Sequence, residues 1–363
     1  MNRTKGNDLD TRWKKLGDLL VNYSVKVQPG EKVMIAMTEV ESFPLVYAIY
    51  EAATKAGAYP QVQFLSEELN HLTMQYGNSD QISRAPEIEA YGMEWADVYF
   101  GLRSAHSLNI HEDIAAAKLA AFRKGMGKIS TMRWEKTRWC LLRLPNSFLA
   151  EQAGVDEKTI INMFFNGCLL DWIKVSQEWH RWVGILKKGK MIHLVGYETD
   201  LSFSVEHREW DVADGRINMP DGEIATAPVC DTVDGQIHFE LPGVLSGRLM
   251  KDIRLKWEKG KLVSATSTTN QDFLQSIIRT DSGASRIGEF AFGTNPHVDH
   301  FCNDILIDEK MGGTIHIALG RSYPSCGGDN QSAIHWDIIK DTRQSSQIYL
   351  DNQLIFENGK MLI

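Results

Sequence analysis

A change of rhythm near Lys187-Lys188-Gly189-Lys190 does most to constrain how this chain can fold. Before it, helix-like and strand-like segments alternate; after it, short strand-like runs dominate. Trp13, Leu16, Leu19, Leu20 and Tyr23 recur at helical spacing, and the turn Pro29-Gly30 leads into an apolar run at 33–37. A second helical pattern over 43–55 ends at Ala56-Gly57, and 60–65 is again strand-like. The alternation continues with a helix over 83–95, a strand over 96–102, an Ala-rich helix over 111–124 and a strand over 139–144. Parallel strands need long crossovers, which are usually helices, so this rhythm predicts a Rossmann-like, doubly wound parallel sheet. The segment has no Gly-x-Gly-x-x-Gly turn and no Walker loop, and nothing in it assigns a nucleotide.

Residues 156–186 read as helical. Strand-like runs follow at 191–195, 201–205, 236–240, 253–257, 262–265 and 313–318, and Lys259-Gly260 and Asn358-Gly359 look like tight hairpin turns. At 363 residues the chain exceeds the size at which one core stops growing. The expectation is an α/β N-terminal domain over 1–180 followed by an antiparallel-rich α+β domain over 181–363.

The second half carries the chemistry. Glu223, Glu289, His316, His335 and Asp337 offer three carboxylates and two imidazoles, donors that suit a pair of divalent cations such as Zn²⁺, Co²⁺ or Mn²⁺ without any thiolate. An isolated acid is usually a solvated surface charge and a lone histidine is usually just hydrogen-bonded, so context decides. Glu289 sits in Arg-Ile-Gly-Glu-Phe-Ala-Phe-Gly, where an unpaired buried carboxylate would be costly and metal coordination would offset the cost. His316 lies in a strand-like run and shares a face with Thr314 and Ala318, small neighbours that leave room for a ligand. His335 and Asp337 are two apart around Trp336, so a strand would point both at one site. Tyr323 and the glycine-rich 325–330 loop could bring a phenol and backbone amides to a substrate. His297 and His300 form a His-x-x-His pair after a proline, and they compete for a metal role together with His180 and His193. Neither His-Glu-x-x-His nor Gly-x-Ser-x-Gly is present.

Composition narrows the partners. With 39 Lys and Arg against 47 Asp and Glu the formal charge is −8, and no long basic run occurs, which argues against nucleic acid and anionic membranes and for a small substrate. No apolar stretch approaches the ~20 residues of a membrane span, and residues 1–12 lack the apolar core of a signal peptide. Five cysteines, an odd number without a Cys-x-x-Cys pair, suit reduced thiols in the cytoplasm.

The segments Met219-Pro-Asp-Gly-Glu223 with Thr226-Ala-Pro228, Gly288-Glu-Phe-Ala-Phe-Gly-Thr-Asn295, Asp308-Glu-Lys310 with Gly312-Gly-Thr-Ile-His316, Tyr323 and His335-Trp-Asp337 together resemble the aminopeptidase T/S family of metallopeptidases. The likeness covers almost the whole chain. It implies a two-domain subunit in a homodimer, metal ligands at Glu223, Glu289, His316, His335 and Asp337, and Tyr323 as a catalytic residue. The implied reaction is release of N-terminal residues from short peptides by a water that two divalent ions activate, with Glu289 bridging them and Glu223 a candidate to shuttle the proton. A distant branch of the same fold contains Fe(II) ring-opening dioxygenases acting on dihydroxypyridine. These resemble the chain in the final His-x-Asp pair, but they use a histidine at the Glu289 position and lack the Glu223 position. A non-catalytic metal-binding module is the remaining alternative.

Overall fold

A computed structural model describes residues 10–107 and 110–363, so most of the polar stretch 1–12 lies outside the described residues. The chain divides into two units, Met1–Leu169 with Gly215–Pro220, and Leu170–Asp214 with Asp221–Ile363. The division expected after residue 180 falls inside the helix Trp172–Leu186, which belongs wholly to the second unit.

The first unit is built on a five-stranded sheet in the order Tyr59–Phe64, Lys32–Met37, Val98–Ser104, Arg138–Leu144, Asn218–Met219. Every neighbouring pair in it is parallel. The inner strands are apolar on both faces, as at Val98, Tyr99 and Phe100, which is the pattern of a sheet covered on both sides.

Helix boundaries depart from the sequence pattern for local reasons. The helix expected over 83–95 is two, Ser79–Ser83 and Glu87–Trp95, because Pro86 has no N–H to donate and biases its predecessor away from helix. The helix expected over 111–124 spans Ala116–Lys136 and runs through Gly125 and Gly127. Gly125 is required by a close approach, since a Cβ there would lie 2.8 Å from the carbonyl oxygen of Ser83. The helical stretch 156–186 breaks after Cys168, and Asp171 caps the next helix by accepting from the Lys174 N–H.

The second unit contains two large antiparallel sheets and a two-stranded antiparallel ribbon, Gly243–Leu245 with Arg248–Met250. One has eight strands in the order Lys261–Thr266, Ile253–Glu258, Asp234–Phe239, Thr199–Ser204, Met191–Gly196, Gln347–Leu350, Gln353–Glu357, Lys360–Met361. The other has five, in the order His335–Asp341, Thr314–Gly320, Ile287–Gly293, Glu223–Thr226, Trp210–Ala213. Both anticipated hairpin turns form, with positive φ at Lys259 and Gly260 and at Asn358 and Gly359, as a two-residue type I′ turn requires.

The period-two pattern of Ile287–Gly293 divides that strand's work. Phe290 and Phe292 point into an aromatic core, Phe290 meeting Phe203 at 5.1 Å and Phe292 meeting Phe356 at 5.5 Å, both from the eight-stranded sheet. Glu289, Ala291 and Gly293 therefore point to the opposite face.

Gly320 ends the neighbouring strand with φ +101, and a Cβ there would come within 2.3 Å of the Ile334 carbonyl oxygen. Gly320→Ala is expected to destabilise the protein by more than about 1 kcal/mol, read as a lower urea midpoint. An unchanged midpoint would show that the turn into Arg321 can relax.

The five cysteines are buried and none is in a disulfide. Among the described residues no helix is long and apolar enough to cross a membrane.

Candidate metal centre

Four adjacent strands of the five-stranded sheet carry all five candidate ligands. Glu223 opens one strand, Glu289 lies in the next, His316 in the third, and His335 and Asp337 in the fourth. Register brings them together. Ala318 pairs with Glu289 on one side and Asp337 on the other, Gly293 pairs with Glu223, and Gly320 pairs with His335. Directly paired residues share a face, so all five side chains project from the same side of the sheet. Small residues at 293, 318 and 320 leave space between them.

The donor atoms fall into two groups, Glu223 with Glu289 and His316, and Glu289 with His335 and Asp337, each group lying within 4.8 Å. Glu289 is common to both. His335 Nε2 lies 3.0 Å from Glu289 Oε2 and 3.4 Å from Asp337 Oδ1, and His316 Nε2 lies 3.2 Å from Glu223 Oε1.

Two features suit these residues to a metal. His335 Nδ1 lies 2.6 Å from the Arg321 carbonyl oxygen, which can only accept. The Nδ1–H is thereby committed to the backbone and Nε2 is left facing the acids, the arrangement common to metal-ligating histidines. His316 is fully buried, yet neither of its ring nitrogens makes a hydrogen bond with acceptable geometry. A buried imidazole whose near contact is a poorly aligned ion pair with Glu223 gains stability if a metal engages it.

The charge balance agrees. Lys310, buried at 1% exposure, donates to Glu223 Oε2 at 2.6 Å and lies 2.7 Å from Glu309 Oε1 and 3.6 Å from Asp221 Oδ1. Burial alone would raise the Glu223 carboxyl, but Lys310 and then His316 hold it well below its usual range. Glu289 has no such cation; burial first, then repulsion from Glu223 and Asp337, pushes it up to about 7 against the bond from His335. Burial opposes charge on both histidines, yet the facing carboxylates raise His316 to about 9 and His335 to about 12. Protons on the imidazoles thus balance the acids, and divalent cations binding to the same atoms would displace them.

Tyr323 precedes the turn Pro324–Cys326, and its ring lies 4.9 Å from that of His335. Burial chiefly raises its phenol, to about 12, so the hydroxyl keeps its proton. The 325–330 loop is largely structural: Asn330 donates to the carbonyls of Gly283 and Gly320. The competing histidines lie elsewhere. His193 pairs with Asp200, His300 with Asp299, and His180 with the Ser176 carbonyl, while His297 is exposed.

Sequence reading gave no role to Lys310, Glu309 or Asp221. By itself the run Asp308-Glu309-Lys310 looks like a solvated helix end; beyond its place among the segments that carry the family likeness, its local signal is that three charges lie directly before Met311-Gly312-Gly313.

Residues 9–361 match the family model of thermophilic metalloproteases (M29). Aminopeptidase AmpS of Bacillus subtilis is 23% identical over 372 residues, covering 92% of this chain and 90% of that one. The structure of wild-type AmpT from Thermus thermophilus is similar with a TM-score of 0.84 at 20% identity, covering 97% of this chain and 99% of that one. The 2,5-dihydroxypyridine dioxygenase of Pseudomonas putida shares the fold more loosely, with a TM-score of 0.60 at 17% identity over 96% of each chain. The mixed fold of one parallel and several antiparallel sheets is therefore that of AmpT, and because the family match runs nearly from end to end, the chain belongs to the M29 thermophilic metalloproteases.

Proposed function

We propose that this protein is a metal-dependent aminopeptidase that releases N-terminal residues from short peptides. The observation that carries the reading is the pair of donor groups sharing Glu289. In this reading two divalent ions, Zn²⁺, Co²⁺ or Mn²⁺, would be held by Glu223, Glu289, His316, His335 and Asp337, with Glu289 common to both donor groups. The chemistry such ions supply is a water acidified toward neutral pH and a polarised scissile carbonyl.

The chain's own groups do the rest. The Arg321 carbonyl orients His335 and Lys310 orients Glu223, so two ligands on different strands are fixed before substrate arrives. Lys310 on Oε2 and His316 toward Oε1 keep Glu223 ionised, which suits it to holding a metal better than to carrying a proton to the leaving amine. Tyr323, beside His335, would donate a hydrogen bond to the oxyanion of the tetrahedral intermediate. Tyr323→Phe is accordingly expected to lower kcat about 100-fold, as loss of an oxyanion donor does elsewhere. A kcat within a few-fold of wild type would reduce Tyr323 to a packing role.

The first unit reads as a Rossmann-like doubly wound layer, supported by its parallel strand order. The family likeness further supports a homodimer, which light scattering would test, and five cysteines outside any disulfide fit the cytoplasm.

The deciding experiment is hydrolysis of aminoacyl-naphthylamides by chelator-stripped protein before and after Co²⁺, Zn²⁺, Mn²⁺ or Fe²⁺ is added. Metal-restored cleavage supports the proposal. Silence with every metal, accompanied by oxygen uptake on dihydroxypyridines under Fe²⁺, would replace it with a dioxygenase; metal binding with no turnover of either kind would leave a binding module.

A further inference from the structure

In the first unit a cavity of about 440 Å³ opens at the carboxyl ends of the parallel strands. Ala36 and Thr38 line it from the end of Lys32–Met37, Leu65 and Glu67 from the segment after Tyr59–Phe64, and Arg103 from the end of Val98–Ser104. The strand order reverses at this point. From Lys32–Met37 the next strand in sequence lies on one side and the one after it on the other. In open parallel sheets, the crevice outside the carboxyl ends at such a reversal is where small ligands bind.

What lines the crevice is mostly positive. Arg103, Arg123, Arg133 and Arg143 all reach it, with His106. Arg133 is the informative one. It is 6% exposed, its Nη2 donates to Ser130 Oγ at 3.3 Å, and its guanidinium stands 4.8 Å from the Trp139 ring centroid. Its Nε is buried without a hydrogen-bond partner, and among the described residues no ion pair joins it to a carboxylate. Burial first, then the charge of Arg103, lowers it to about 10, so this guanidinium would gain from an anion.

Two acids share the cavity and neither answers Arg133. Glu67 is engaged by His111, whose Nε2 lies 2.7 Å from Oε1, and Glu89 is buried, which raises its carboxyl toward the neutral form. Met93, Met126 and Ile129 supply an apolar wall.

We propose that this cavity binds a small organic oxyanion, a carboxylate or a phosphate ester, with its charged end on Arg133 and the neighbouring guanidinium groups and its apolar body against Met93, Met126 and Ile129. Arginine recognises both oxyanions through paired N–H donors, which makes a glycine-rich phosphate turn unnecessary here. The site goes beyond peptide hydrolysis, since all five candidate metal ligands belong to the other unit.

Calorimetric titration of the full-length metal-loaded protein at fixed ionic strength, with benzoate, phenyl phosphate and neutral benzyl alcohol as probes, tests the proposal. One or both anions are expected to bind while benzyl alcohol does not, and the preferred anion separates a carboxylate site from a phosphate site. Arg133→Gln should weaken that anion at least about tenfold. Because Arg133 is buried, the exposed Arg123→Gln provides a second variant, with thermal melts confirming that each is folded. The proposal is overturned if neither anion binds, if benzyl alcohol binds as well as they do, or if both folded variants bind the anion unchanged, which would place it elsewhere.

Discussion

Glu289→Gln is expected to lower kcat/KM on an aminoacyl-naphthylamide at least about a thousandfold and, in the presence of chelator, to melt at a higher temperature than the wild-type protein. The two effects have one cause. Glu289 is the carboxylate common to both donor groups, so an amide in its place would weaken both groups rather than one. Metal assistance is worth several kcal/mol of transition-state stabilisation, and each 1.4 kcal/mol is about tenfold in rate. Metal content measured by mass spectrometry should fall in parallel.

Without metal the same carboxylate is a burden. It is 5% exposed and faces Glu223 and Asp337, which together with burial raise it from 4.5 to about 7. A carboxyl whose folded value is raised binds more protons folded than unfolded, so stability falls as pH climbs from about 4.5 to about 7 and remains low above. Glutamine has the same shape without the charge and escapes that loss, which at pH 8 should appear as a melting temperature higher by about 2 °C or more. Full activity would dismiss Glu289 as the shared ligand. A lower melting temperature in chelator would mean that its charge is answered by something other than a metal.

Much of this arrangement was legible in the sequence, for a physical reason. Side chains on a strand alternate with period two, so Glu289 among Phe290 and Phe292, and His335 with Asp337 around Trp336, declare their faces before any partner is known. Register is different. Nothing local states that Ala318 stands between Glu289 and Asp337, since pairing is decided by contacts distant along the chain. The same limit explains the helix ends. Pro86 acts locally and could be read, whereas Gly125 looks like a helix breaker until its approach to Ser83 is known. Charges are the hardest case, because Lys310 has the same local appearance whether it faces water or three acids.

Lys310→Met is expected to destabilise the metal-free protein by about 3–5 kcal/mol, with part of the loss recovered when a divalent cation is added. Removing one partner of a buried pair is costlier than the pair itself is worth, because the remaining charge is left in a medium that solvates it poorly. Lys310 holds Glu223 Oε2 at 2.6 Å and also answers Glu309 and Asp221, of which Asp221 is completely buried. Methionine fills a similar volume, so the change tests charge rather than packing. Glu309 can take up a proton, its carboxyl being pushed up to about 8 by burial against the pull of Lys310, but Glu223 is held ionised and has the most to lose. A divalent cation on the other oxygen of Glu223 would supply positive charge from the opposite side, which is why the loss should shrink when metal is present. Urea midpoints with chelator and with added Zn²⁺ measure both numbers. If the two differ from wild type by the same amount, Lys310 serves the fold alone; if the deficit narrows with metal, the buried lysine and the metal centre act on the same carboxylate.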